Sequence, residues 1–383
     1  GRFELENYVA AESAYHRLLA IDLEEDEQEK VEERLLAAVY KQGEAAEAAG
    51  FTDDAVGHYL RLAEIDPNAE LAAQGQFDAV AVVEEAGRIG EAAVLLQAFR
   101  SSFPDHELYA DLEKRLADMY ERTGDWENAA AEYLTLSETA DDVEVRRQSK
   151  YRAAELYLEL GDQPLAIEHF RDYAHSYEKP LDLNLEAVHQ LDLLYQAADD
   201  GKNRRYWLDR KIDIHRKMGT AATDRATFLA AEAQYVFAED ERMSFEVIRL
   251  THPLPKSLKR KQKALTRTVK AYEAVADYQV SRFSTASTFQ IANLYASLSA
   301  SIMDSDRPDN LNELELEQYE ILLEEQAFPF EVQAISLHEI NMRRSWEGVY
   351  DDWVKRSFSE LKKLMPARFD KQEIDVAYVE TIH

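Results

Sequence analysis

The chain has 383 residues, a formal net charge of −31, 46% hydrophobic residues and no cysteine. That hydrophobic content, with 20 Tyr and 15 Phe, can build a core and so excludes an acidic disordered chain, while the charge repels phosphate and disfavours nonspecific binding to nucleic acid or anionic lipid. Without cysteine there are no disulfides, thiolate metal sites or cysteine nucleophiles, and with only 12 Gly and 9 Pro among abundant Ala, Leu, Glu, Gln and Arg, helix is expected to dominate.

In chain order, Phe3, Leu5, Tyr8 and Ala11 stand at helical spacing directly after Gly1, with no initiator Met. The chain therefore reads as a fragment of a longer protein that starts mid-element, so the lack of a signal segment in it does not decide its location. Tyr8, Ala11 and Tyr15 read as the second helix of a hairpin lacking its first. A strict period follows. Gly50, Gly87, Gly124 and Gly161 are 37 residues apart, each followed five residues on by Ala55, Ala92, Ala129 or Ala166, and four further by Tyr59, Leu96, Tyr133 or Phe170. In a helix hairpin the glycine ends the first helix in a left-handed conformation, the alanine permits close approach, and the large side chain fills the space between repeats.

These positions resemble tetratricopeptide repeats. Gly43, Tyr120 and Tyr157 match the family's small and aromatic positions on the first helix, and Asp66-Pro67 and Phe103-Pro104 match its closing proline. Asp141 and Glu178 replace that proline in the later repeats, and the period exceeds the family's usual 34, which implies longer helices or turns. Leu181–Ala198 and Tyr206–Met218, around Asp199-Asp200-Gly201-Lys202-Asn203, read as a degenerate hairpin.

From Ala221 the apolar spacing predicts helices over 226–238, 245–250, 258–280, 285–303, 311–325, 330–342 and 349–364, broken at His252-Pro253-Leu254-Pro255, Asp304–Asn310 and Phe328-Pro329. The expected architecture is all-α: a tetratricopeptide-type hairpin solenoid over residues 1–218, continuing into a less regular helical array over 219–383. No Gly- or Ser-rich linker separates the two, so they are expected to pack as one solenoid with a bend.

The stretch 322–369 contains Glu324-Glu325-Gln326-Ala327-Phe328-Pro329-Phe330-Glu331, His338-Glu339-Ile340-Asn341, Gly348-Val349-Tyr350-Asp351-Asp352-Trp353-Val354 and Pro366-Ala367-Arg368-Phe369. It resembles the C-terminal region of large bacterial tetratricopeptide-repeat proteins associated with TonB and ExbB/ExbD-like envelope machinery. That resemblance implies a periplasmic or envelope-associated adaptor. A cytoplasmic location is the alternative.

Catalytic signals are weak. His338-Glu339 lacks the second histidine of a zinc-binding helix, because Met342 stands four residues on. No glycine-rich phosphate loop is present, and acidic runs such as Glu24-Glu25-Asp26-Glu27 read as solvated helix surface. No enzyme activity, cofactor or metal is expected, and a hydrolase with a buried site in the C-terminal helices has little support.

Two surfaces remain. On the first helices of the hairpins, which line the concave groove of tetratricopeptide repeats, one column reads Lys41, Asp78, Arg115 and Arg152, and its neighbour reads Tyr40, Phe77, Lys114 and Tyr151. Cations flanked by rings can hold a carboxylate or an extended peptide. Alternatively, Arg115 and Arg152 pair with Asp118 and Glu155 within their own helices. The asparagines of chaperone-tail carboxylate clamps are missing. Second, Thr251–Tyr272 holds Lys256, Lys259, Arg260, Lys261, Lys263, Arg267 and Lys270 and no acid. It reads either as a docking segment for an acidic partner or a second copy, or as an internal balance to acidic faces. The functional expectation is a protein–protein interaction scaffold in a bacterial cell-envelope complex, binding a protein or peptide, without nucleic acid or direct membrane insertion. A self-associating structural component is the alternative.

Overall fold

The computed structural model describes residues 3–104, 106, 112–308 and 311–371. Among them there is no strand. The chain divides into two compact units, Gly1–Tyr177 and Glu178–His383.

The first unit holds α1 (Tyr8–Leu19) and four hairpins: α2/α3 (Glu25–Ala48, Thr52–Ile65), α4/α5 (Glu70–Glu85, Ile89–Ser102), α6/α7 (Leu112–Thr123, Trp126–Thr139) and α8/α9 (Val143–Glu159, Gln163–Ser176). The period has its expected cause. Gly50, Gly87, Gly124 and Gly161 all take φ of 76–77°. At each, the next N–H reaches back five residues, from Phe51 to the carbonyl of Ala46, Arg88 to Val83, Asp125 to Tyr120 and Asp162 to Tyr157, at 2.9–3.0 Å. These bonds satisfy carbonyls that the ending helix would leave open. Asp125 and Asp162 then cap α7 and α9. Ala55, Ala92, Ala129 and Ala166 are wholly buried, as are Leu96 and Phe170, and Tyr59 is nearly so. Gly43 admits the Tyr59 ring, since a Cβ there would lie 2.6 Å from its Cε1.

The second unit begins with α10 (Leu181–Ala197) and α11 (Gly201–Met218). The degenerate hairpin keeps the turn but not the glycine: Asp199 sits at φ 53°, and the Asp200 N–H bonds the Tyr195 carbonyl at 3.0 Å. The contact boundary thus falls one hairpin before the 218/219 division drawn from the repeat pattern. The reason is local, because Lys211 of α11 and Arg225 reach Glu232 and Glu186 across the following turn.

Next come α12 (Asp224–Glu246), α13 (Leu254–Ala276), α14 (Ser281–Met303), α15 (Glu313–Arg344), α16 (Asp352–Leu364) and α17 (Pro366–Phe369). Two sequence expectations are corrected, the separation of helices 226–238 and 245–250 and the break at Phe328-Pro329. The polar stretch 239–244 does not interrupt α12, because Arg242 joins Glu239 and Glu246 along the helix surface. Nor does Pro329 end a helix. It lies inside the continuous 32-residue α15, on an exposed face where water can serve the carbonyl deprived of its donor. The break after Asp304 stands over residues 304–308, and residues 309–310 lie outside the described residues.

Candidate protein-interaction surfaces

The groove columns lie on α2, α4, α6 and α8, and the fold joins them between repeats. Arg115 Nη2 is 2.7 Å from Glu84 Oε2 on α4, not on Asp118, which faces Arg122 at 3.4 Å. Arg152 bonds Glu121 on α6, and also Glu155 at 3.0 Å in its own helix. Both cross-repeat pairs span 31 residues. Burial opposes the charge of Arg152, but the bonds from Glu121 and Glu155 outweigh it and hold its pKa above the ordinary value. The Arg115 hydrogen bond correspondingly lowers that of Glu84.

Of the remaining column members all but Lys114 are also engaged. Tyr40 donates to Asp78 at 2.8 Å, and burial followed by that bond raises its pKa. Phe77 packs on Phe99 and carries the Arg115 guanidinium 5.1 Å from its centroid. Tyr151 packs edge-on against Phe170 and Tyr173, and Lys41 pairs with Glu44. Lys114 is exposed and makes no ion pair among the described residues. The acidic partners escaped the sequence reading although they carry its period: Glu47, Glu84 and Glu121 are 37 residues apart. Glu47 and Glu121 also accept from Tyr59 and Tyr133 of the second helices, both at 2.7 Å. The columns therefore form a ladder between repeats.

The basic segment is built differently. Lys256, Lys259, Arg260, Lys263, Arg267 and Lys270 all lie on α13 and are exposed. Their offsets of 3, 4, 7, 11 and 14 place them on one helix face about 21 Å long. The opposite face, with Ala264, Leu265, Tyr272 and Val275, is core. Arg267 pairs with Glu241, whereas the other five make no ion pair among the described residues. A cavity of about 350 Å³ lined by Thr251, His252, Lys256 and Arg260 opens beside the first turn. Lys261 is a correction: it points inward, 3% exposed, with its ammonium 4.5 Å from the Phe245 centroid and bonded to the Ile248 carbonyl at 2.8 Å. Its offset from the stripe puts it on the core side, and burial lowers its pKa.

Two clusters invite a chemical reading. Ligand atoms of His189, Asp192 and Glu232 lie within 4.8 Å of one another. Lys211, itself fully buried, places its ammonium 2.5 Å from Asp192 and 3.6 Å from Glu232, and Arg204 lies 2.8 Å from Asp192, so cationic charge is already supplied there. His338 Nδ1 is 3.3 Å from Ser357 Oγ, and Asn341 donates to that oxygen at 3.0 Å. All three side chains are fully buried, which leaves no surface where a substrate could meet the pair. No helix among the described residues is long and apolar enough to cross a membrane.

The hairpins, their glycine turns and their alanine crossings define an all-α repeat fold of the tetratricopeptide type. Residues 148–179, from within α8 to just beyond α9, match the tetratricopeptide repeat family model. No curated protein matches the chain at a significant level. Among solved structures, the chain is similar to a tetratricopeptide repeat protein from Parabacteroides merdae, with 11% identity over 75% of this chain and 98% of that one and a TM-score of 0.29. Similarity also extends to BtubC from P. vanneervenii, with 13% identity over 57% and 92% of the chains and a TM-score of 0.29. A third similar structure is Naa15/Naa10 bound to HypK-THB, with 13% identity over 97% of this chain and 55% of that one and a TM-score of 0.38.

Proposed function

We propose that this chain is a protein–protein interaction scaffold and that the cationic stripe of α13 docks an acidic surface of a partner protein. The observation that carries this reading is the stripe itself. In a chain of net charge −31, Lys256, Lys259, Arg260, Lys263 and Lys270 share one exposed face without an ion pair among the described residues. Acidic side chains are plentiful elsewhere, so an internal balancing role would be expected to engage them. The groove column supports binding less well, since Arg115 and Arg152 already spend their hydrogen bonds on the neighbouring repeat.

Placement in a bacterial cell-envelope complex, as a periplasmic or envelope-associated adaptor, rests on the resemblance of residues 322–369, and fractionation of the native host with an antibody to this chain tests it. The docking reading is tested by changing Lys256, Lys259, Arg260 and Lys263 to Gln and measuring association with a partner purified from the native extract. Slower association with a flatter salt dependence is expected, because exposed charges act mainly on the encounter rate. Unchanged kinetics would move the contact off α13.

A further inference from the structure

α15 has two apolar faces, and the fold covers one of them. Tyr319, Leu323, Ala327, Phe330 and Ala334 form a seam that packs against α14 and the core beneath it. Leu314, Ile321, Phe328 and Val332 lie on the opposite side and are exposed, Leu314 and Phe328 each by 64%. A helix apolar on two sides is one that is buried on both. The next layer is too short to do this. α16 has 13 residues against the 32 of α15, and its Ser357 meets His338 and Asn341, in the second half of α15. The chain then turns back, so that Arg368 pairs with Glu339. On this outer face the first half of α15 receives no cover from the described residues, over a length of about 27 Å.

Along α15 itself the charges bordering this face have a single sign, and the nearest cation in sequence is Arg307, 3.9 Å from Glu320. From Pro308 to Met342 the chain contains no Lys or Arg, and Glu317, Glu324, Glu325 and Glu331 border the apolar strip without an ion pair among the described residues. A groove of about 590 Å³, lined by Met303, Glu324, Ala327, Phe328 and Glu331, runs alongside it between α14 and α15. An apolar strip whose own helix flanks it with carboxylates and no cation complements an apolar strip flanked by Lys and Arg. Two copies of the same face would instead bring acid against acid.

We infer that the first half of α15 is a docking site for a cationic amphipathic helix of a partner protein, roughly 18 residues long. It is separate from the α13 stripe and opposite in sign, so the same unit offers one surface for an acidic partner and another for a basic one.

The test uses the whole chain and two fluorescent 18-residue peptides of identical Leu and Lys content, one ordered as an amphipathic helix and one scrambled. The ordered peptide is expected to bind at least about tenfold more tightly than the scrambled one. Changing Leu314, Ile321 and Phe328 together to Ser removes that preference without altering the helical signal, since these side chains are exposed. Changing Glu324, Glu325 and Glu331 to Gln keeps the preference but flattens its salt dependence. Equal binding of the two peptides, or an undiminished preference in the Ser variant, overturns the site. So does a chain that self-associates through this face, shown by a wild-type dimer that the Ser variant loses. Binding that appears only after removal of residues 372–383 also overturns it, because the chain's own terminus would then be the occupant.

Discussion

Asp199 stands where the four preceding hairpins have glycine, and it is the exception that measures the others. Aspartate tolerates a left-handed conformation better than most residues with a Cβ, and Asp200 behind it caps α11. Alanine has no such compensation. Gly124→Ala is expected to cost about 1–2 kcal/mol in urea unfolding, although no atom lies within 4 Å of the position a Cβ would take, because the penalty is in the backbone. A neutral result would remove the left-handed turn as the cause of the period. His338 poses a different residue-scale question. Burial pulls its pKa down to about 4. An unfolded histidine titrates near 6.5, so between pH 6.5 and 4 the unfolded state binds the proton and the native state does not, and stability falls as the pH falls. On going from pH 7 to 4.5 this group alone removes about 2–3 kcal/mol. The pH dependence of unfolding should be shallower by that amount in His338→Gln, and an unchanged slope would mean that the imidazole is hydrated in the native state.

At the scale of elements, two kinds of contact hold the hairpins in register. The first is the small-residue crossing inside each hairpin. Ala129 is fully buried among Ala130, Leu156, Tyr120 and Trp126, and Ala129→Leu is expected to destabilise by roughly 1–3 kcal/mol, since the added carbons force the helices apart. The second is the ion-pair ladder between repeats. Arg152 and Glu121 are partly exposed, so their coupling is small: a double-mutant cycle of Arg152→Met with Glu121→Gln should return about 0.5–1 kcal/mol. A coupling near zero would release Arg152 to act in binding and revive the groove as a site.

For the whole molecule, charge is the governing quantity. Four Lys or Arg to Gln changes on α13 take the net charge from −31 to −35, which adds self-repulsion. Because those side chains make no ion pair among the described residues, and exposed charges are screened within about 8–10 Å at ordinary ionic strength, the melting temperature at 0.15 M salt should stay within about 2 °C of wild type. A drop that high salt rescues would assign the stripe to internal balance and withdraw it from docking.

The period, the hairpin turns and the all-α class were legible in the sequence because each depends on contacts within about 37 residues: a left-handed glycine, a buried alanine and a filled gap recur wherever the local pattern recurs. The cationic stripe was legible for the same reason, since offsets along one helix determine a face. Facing across helices was not. Whether Arg115 is free or paired depends on Glu84 of another repeat, and although its offset already puts Lys261 on the core side of α13, the Phe245 ring and Ile248 carbonyl that receive its ammonium belong to another part of the fold. Continuity through Pro329 also exceeded the local signal, because α14 supports the seam of α15 on both sides of the proline. The uncovered face of α15 needed the most: its apolar spacing and its lack of Lys and Arg are in the sequence, but only packing decides which of two apolar faces the fold covers, and that depends on how far α16 reaches.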